Sequence, residues 1–215
     1  MKRLVMIAVS ASTLAAVSFA AADGPSFGAR AHTVLVLDNL AGVMNETYGT
    51  TDNPTEEGIT TFGSGTGLYA FNVVTRFGVH QFIGDTVSLG AGIHYSDRAA
   101  GSLERLGRSA TIIAFAPRVG FAIPLSGTSA FWFRIGGTYL HASYSGDAGN
   151  SHDVMLGSEL YYVYTPVEHF GITLGPVIEV GIDGAFTSTS RSGPDRTQST
   201  RRRMFGLAFG FLFDL

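Results

Sequence analysis

The chain has 215 residues, no cysteine, 28 glycines and a hydrophobic fraction of 45%, with only 14% charged side chains. Disulfides and a lipid-modified cysteine are therefore excluded. Mean hydropathy is high at +0.23, yet no internal run reaches the roughly 18 apolar residues of a helical membrane span.

The chain begins MKRLVMIAVSASTLAAVSFAAADG. Lys2 and Arg3 form a basic start, Leu4 to Val17 an apolar stretch, and Ser18-Phe19-Ala20 and Ala20-Ala21-Ala22 fit a small-x-small cleavage site. This is the pattern of a secretory signal peptide over residues 1–22. Its removal leaves 12 of the 14 basic side chains against 17 acidic ones, a net charge of −5. A chain of that charge gives no support to nucleic-acid binding.

From residue 28 onward the dominant signal is alternation, which places successive side chains on opposite faces of a strand. The first strand, about 28–42, sets Leu35 and Leu37 against Val34, Val36 and Asp38. Tyr69, Phe71, Val73, Phe77 and Val79 alternate with Ala70, Asn72, Arg76, Gly78 and His80. After the turn FIGD, Val87, Leu89, Ala91, Ile93 and Tyr95 alternate with Ser88, Gly90, Gly92 and His94. Ile113, Phe115, Val119, Phe121 and Ile123 oppose Ala114, Ala116, Arg118, Gly120 and Ala122. Phe131, Phe133, Ile135 and Tyr139 oppose Arg134, Gly136 and Thr138. Val154, Leu156, Leu160, Tyr162 and Tyr164 oppose Gly157, Glu159 and Tyr161. Phe170, Ile172, Leu174, Ile178 and Val180 oppose Gly171, Thr173, Gly175, Glu179 and Gly181. The last strand, MFGLAFGFLFDL, sets Phe205, Leu207, Phe209, Phe211, Phe213 and Leu215 against Gly206, Ala208, Gly210, Leu212 and Asp214.

Eight strands of about 10–15 residues result, long enough to cross a bilayer at a tilt. Short turns fall near 81–86, 123–129 and 165–169; longer polar loops fall near 43–64, 98–109, 144–152 and 184–201. Pro117 and Pro176 lie inside strands, where each removes a ladder donor and predicts a local bulge. An eight-stranded barrel encloses little more than its own inward side chains. The Phe, Tyr, Leu and Ile faces are too bulky for that interior; the Gly, Ala, Ser and Thr faces fit it. The bulky face therefore points outward, toward lipid, whereas a soluble lipocalin-like barrel would reverse the two. The reading is all-β: an eight-stranded antiparallel transmembrane β-barrel of up-and-down topology over residues 23–215, with short turns and both termini periplasmic. Phe121, Phe131, Tyr162, Tyr164 and Phe170 on the turn side, and Tyr69, Tyr95 and Tyr139 on the loop side, read as two aromatic girdles.

The C-terminal Gly210-x-x-Phe213-x-Leu215 resembles the β-signal read by the barrel-assembly machinery, with Leu at the last place instead of Phe and Ala208 where a polar residue is usual. With PRVGFAIPLS (117–126) and VYTPVEHFGITLGP (163–176), it makes residues 28–215 resemble the small eight-stranded outer-membrane β-barrels, the group that includes the OmpA transmembrane domain. The resemblance implies a monomer in the bacterial outer membrane, assembled through its last strand. No peptidoglycan-binding domain is expected after that strand.

Inward parity collects Arg76, Arg118, Arg134, Glu159, Glu179 and, at the edge of the pattern, Asp38. Lone charges in a narrow interior are costly but mutually paired ones are tolerated. The expectation is a salt-bridge network that plugs the barrel; the alternative is a narrow gated ion path through the same residues. The loops carry alternating charge. Glu46, Asp52, Glu56 and Glu57 are followed by Arg98, Arg105 and Arg108 against Glu104, then Asp147, then Arg191, Arg196 and Arg201–Arg203 against Asp195. Arg201, Arg202 and Arg203 suit bidentate contact with lipopolysaccharide phosphates. His141-Ala-Ser143, with Asp153 following, is similar to the His-x-Ser pair of lipid A deacylases, although Tyr144 stands where that family has Asn and Asp153 has the opposite parity. His32, His80, His94, His152 and His169 show no ligand spacing, so neither metal nor cofactor is expected. The expected role is structural or surface interaction through four outer loops, with outer-membrane lipids and lipopolysaccharide as partners and catalysis on lipid A as the enzymatic alternative.

Overall fold

The computed structural model describes residues 27–50, 53–64, 75–98, 110–145, 149–188 and 195–215. The signal-peptide segment, the Tyr69–Val73 stretch and most of the 98–109 loop lie outside them. Nine strands form one antiparallel sheet: β1 (Thr33–Thr50), β2 (Asn53–Ser64), β3 (Arg76–Phe82), β4 (Val87–Arg98), β5 (Ala110–Ser126), β6 (Ser129–Tyr144), β7 (Gly149–Val167), β8 (Phe170–Ser188) and β9 (Arg196–Asp214). β2 and β3 pair with the upper and lower parts of the same side of β1, Ala41 opposite Ser64 and Asp38 opposite Arg76. They share one place in the ring. The ring therefore has eight positions, and β1 pairing with β9 closes it. At the level of β3 every described strand has a neighbour on both sides, which leaves hydrocarbon no open edge there.

Parity follows the sequence. On β9, Phe205, Leu207 and Phe213 face out while Ala208, Gly210 and Leu212 are buried inside. Phe77, Leu89, Ile93, Ile113, Phe115, Ile135, Leu156, Leu174 and Ile178 continue this apolar belt around the wall, Ile93 being 58% exposed. A continuous exposed apolar belt of this kind requires lipid around it. The turns 83–86, 127–128 and 168–169, the segment 27–32 and the C-terminal end gather at one mouth. There Ala31 N donates to Phe82 O, Thr165 N to Thr128 O and Leu215 N to Thr33 O.

Three loops are shorter than the polarity of the sequence suggests. Residues 43–64, expected as an outer loop, continue β1 and return as β2 in a hairpin with Thr50 opposite Asn53. β9 runs beside β1 as far as Thr200 opposite Thr50, so the ladder continues into water, where polar residues cost nothing. β7 likewise starts at Gly149, β8 runs to Ser188 and β9 begins at Arg196. Strands of 16–19 residues (β6–β9), at roughly 3.3 Å per residue and a tilt of about 40°, rise roughly 40–48 Å and so overtop an apolar band of about 25 Å.

The prolines do not create the expected bulges. Pro117 stays in register with Ala91 on β4, and Phe115–Tyr139 and Val119–Ile135 flank it on β6 with no shift. Pro176 stays in register with Leu207, and Glu159–Val177 and Tyr162–Leu174 flank it without a shift. Each proline interrupts bonding to one neighbour only. At Pro117 the freed carbonyls are capped from inside: Arg118 Nη1 donates to Pro117 O at 3.1 Å and also to Gly137 O. The true bulges lie elsewhere. One is on β1, where Asp38, Asn39 and Leu40 together oppose Gly210 between the pairs Leu37–Phe211 and Ala41–Phe209. Asn39 takes φ 57°, a left-handed value that Asn tolerates better than most residues. The bulge turns Asn39 inward beside Asp38, and simple alternation forbids two neighbours on one face.

Candidate functional site

The interior is filled in layers. Nearest the short turns lies an apolar layer that includes Phe27, Val34, Phe82, Ala122, Trp132, Tyr161 and Leu212. Above it sits a charged layer, and toward the outer end a second apolar group, Ile112, Ala114, Leu140, Ala142 and Met155, packs with Tyr144.

The charged layer holds Arg76, Arg118, Arg134, Glu159, Glu179 and Asp38, all buried. Three cations meet three anions, so its net charge is zero. Glu159 is the hub. Its Oε1 lies 2.6 Å from Arg76 Nη2 and 3.1 Å from Arg118 Nε, and its Oε2 lies 2.5 Å from Arg134 Nη2. Glu179 Oε1 receives Arg76 Nη1 at 3.2 Å, Arg118 Nη2 at 2.9 Å and the Thr138 hydroxyl at 2.8 Å. Asp38, inward by the same parity as Val34 and Val36, lies 3.0 Å from Arg134. The Arg134 guanidinium is also stacked between two rings, 4.6 Å from the Trp132 centroid and 4.7 Å from that of Tyr161. Tyr161 OH in turn donates to Asn39 Oδ1 at 3.2 Å.

Space for these long side chains comes from small residues opposite them. A Cβ on Gly157 would stand 2.7 Å from Arg118 Nη2 and 3.2 Å from Glu179 Oε1. Glycine here is a packing requirement of the charge layer.

The structure brings into contact the five inward charges named from parity together with Asp38, the sixth at the edge of that pattern. It divides the arginine run. Arg201 and Arg203 face outward, whereas Arg202 is buried, with Nη1 3.1 Å from Asp153 Oδ2. Asp153 also accepts the Thr200 hydroxyl at 3.1 Å. Arg202 therefore leaves the proposed phosphate-facing group, because consecutive strand residues cannot share a face. Parity counted back from Gly206 already carries that signal, and the uniform charge of the run hides it. Asp153 sits inside the wall while His141 and Ser143 face outward on β6, so the three do not converge. Among the described residues, no group of His, Asp or Glu is arranged to hold a metal ion.

Phe27 and Trp132 are interior residues that the strand alternation did not name, whereas Tyr161 lies inward as alternation placed it. Trp132 and Tyr161 are bulky for a narrow interior. They fit because Arg134 takes the space between them and Ala122 and Ala130 stand close by.

No protein-family profile and no curated protein matches the chain. Solved structures do. The outer-membrane protein AlkL, determined by solid-state NMR in DMPC lipid bilayers, matches with a TM-score of 0.55 at 11% identity, covering 92% of this chain and 96% of its own. OprG of Pseudomonas aeruginosa gives 0.46 at 12% identity over 87% and 98%, and the Escherichia coli outer-membrane protease OmpT gives 0.42 at 5% over 90% and 99%. The latter two scores carry no argument about activity, and identities this low speak to fold alone. Closed ring, outward apolar belt and the AlkL match agree: the chain has the fold of the small outer-membrane β-barrels.

Proposed function

We propose that the protein is an integral outer-membrane barrel that works as a closed scaffold, presenting its outer strand ends and loops at the cell surface, and not as a pore. One observation carries this reading: six mutually paired charges, net neutral and buried, span the lumen from six strands. A conducting path would need these side chains separated by water; here each guanidinium nitrogen used is within 3.2 Å of a carboxylate. Pairing of this density favours a fixed plug.

The outer face supports a partner for the same scaffold. On β9 the lipid belt ends at Phe205, and Arg203 and Arg201 follow on the outward face. Their outward place beyond that belt supports contact with lipopolysaccharide phosphates, because guanidinium suits bidentate phosphate binding. The last strand, ending Phe213-Asp214-Leu215, serves recognition by the barrel-assembly machinery.

Tracer flux in liposomes tests the closed scaffold. Wild-type protein is expected to release small ions no faster than protein-free liposomes, and Glu159→Gln to leak measurably but far below a porin. Porin-level flux through the wild-type protein would overturn the reading.

A further inference from the structure

We propose that Phe27, from the segment preceding the first strand, is a stopper that closes the short-turn mouth of the barrel and keeps water from the interior beneath the charge layer. Phe27 belongs to no strand and makes no ladder bond, yet it is only 4% exposed. Its ring stands edge-on to Phe82 at 5.4 Å and to Trp132 at 5.3 Å. Behind it, Trp132 packs on His80 at 4.7 Å and its indole N–H donates to Ser88 Oγ at 3.3 Å. Arg134 lies over the Trp132 ring. Phe27 is thus the outermost member of a stack that ends in the charge layer.

The chain is built to hold it there. Gly28 has φ +94°, and a Cβ at that position would meet Ala122 Cβ at 2.8 Å, so only glycine lets the segment lie this close to the wall. Ala31, at φ 70°, is a second left-handed residue, in a conformation costly for a side chain with a Cβ. Ala31 N donating to Phe82 O, and Phe82 N to His32 O, fasten the segment to the end of β3. His32 Nδ1 and Asp214 Oδ2, 3.0 Å apart, fasten it to the end of β9. On its outer side Phe27 borders an open cavity of about 530 Å³, lined also by Thr128, Pro166, His169 and Leu215. Water can reach that cavity; the next groups inward, Trp132 and Phe82, are at 0% and 1% exposure. A single aromatic ring therefore marks the boundary between a wet vestibule and a dry core. One strained torsion at Ala31, a glycine at Gly28 and two fastenings place it there.

Trp132 is the only tryptophan in the chain, so it reports its own surroundings. The test is acrylamide quenching of its fluorescence in the mature protein refolded in detergent, with the folded, heat-modifiable gel band as the control. Wild type is expected to show weak quenching and blue-shifted emission. Phe27→Ala is expected to raise the quenching constant at least threefold and shift the emission to the red. Phe27→Leu, which keeps an apolar bulk, should stay near wild type. Gly28→Val, which unseats the ring without altering it, should match Phe27→Ala. Folded Phe27→Ala and Gly28→Val proteins with wild-type quenching would overturn the proposal. Failure of Phe27→Ala to give the folded band would also overturn it, because a stopper outside the ladder is not needed to close the ring.

Discussion

Replacing Glu159 by Gln tests the charge layer most directly. The change keeps side-chain volume and one acceptor oxygen. It removes the one carboxylate that faces all three arginines, at 2.6, 3.1 and 2.5 Å. The layer passes from neutral to a net charge of +1, and the new amide donors point at guanidinium donors. Breaking a buried ion pair from one side costs about 3–5 kcal/mol, because the stranded charge stays desolvated. With a urea slope of about 2 kcal/mol per molar, the unfolding midpoint should fall by roughly 1.5–2.5 M. The assay is urea unfolding of the refolded barrel in detergent, read by gel shift and Trp132 emission together. Adding Arg134→Met restores neutrality. The double variant should recover more than 1 kcal/mol relative to the sum of the single changes, about the coupling expected of contacting charges. A Glu159→Gln midpoint within about 0.3 M of wild type, well below the slope-derived shift, would refute the claim that the layer holds the barrel together.

The outer arginines should separate by face. Arg201→Gln with Arg203→Gln is expected to weaken lipopolysaccharide retention on the purified barrel with little change in unfolding midpoint. Arg202→Gln should instead cost about 3 kcal/mol by stranding Asp153, and leave retention near wild type. Equal effects on both readouts would show that the two faces are not distinct. On the lipid side, Ile135→Arg places a charge on an outward position next in sequence to the charge layer. It should cost about 2–4 kcal/mol in bilayers, the range for a cation near the midplane, measured by refolding equilibria in vesicles. A neutral outcome would mean that this face does not meet hydrocarbon.

How far the sequence carried depended on what each signal encodes. Alternation is a local property, so the outward set from Phe77 to Phe213, and the inward charges Arg118, Arg134 and Glu159, could be read from spacing alone. Polarity misled at residues 43–64. Polar composition reads as loop, but outside the membrane a polar strand is stable when a neighbour such as β9 continues beside it. Proline misled in the opposite way. Pro117 and Pro176 each lose one donor, but whether that shifts the register depends on what caps the freed carbonyls, and at Pro117 the cap is Arg118 from inside the barrel.

By itself, the sequence determined that this chain alternates, that its bulky face exceeds what a narrow barrel can hold, and hence that the bulk lies outside and the charges within. Only the tertiary structure decided which charges meet. The β1 bulge that sets Asn39 against Tyr161, the joining of Arg202 to Asp153, and the seating of Phe27 on Trp132 all bring together residues distant in the chain. The reason is physical: a period of two fixes which side of the wall a residue occupies, while its partners across the lumen depend on register and closure, which belong to the ring as a whole.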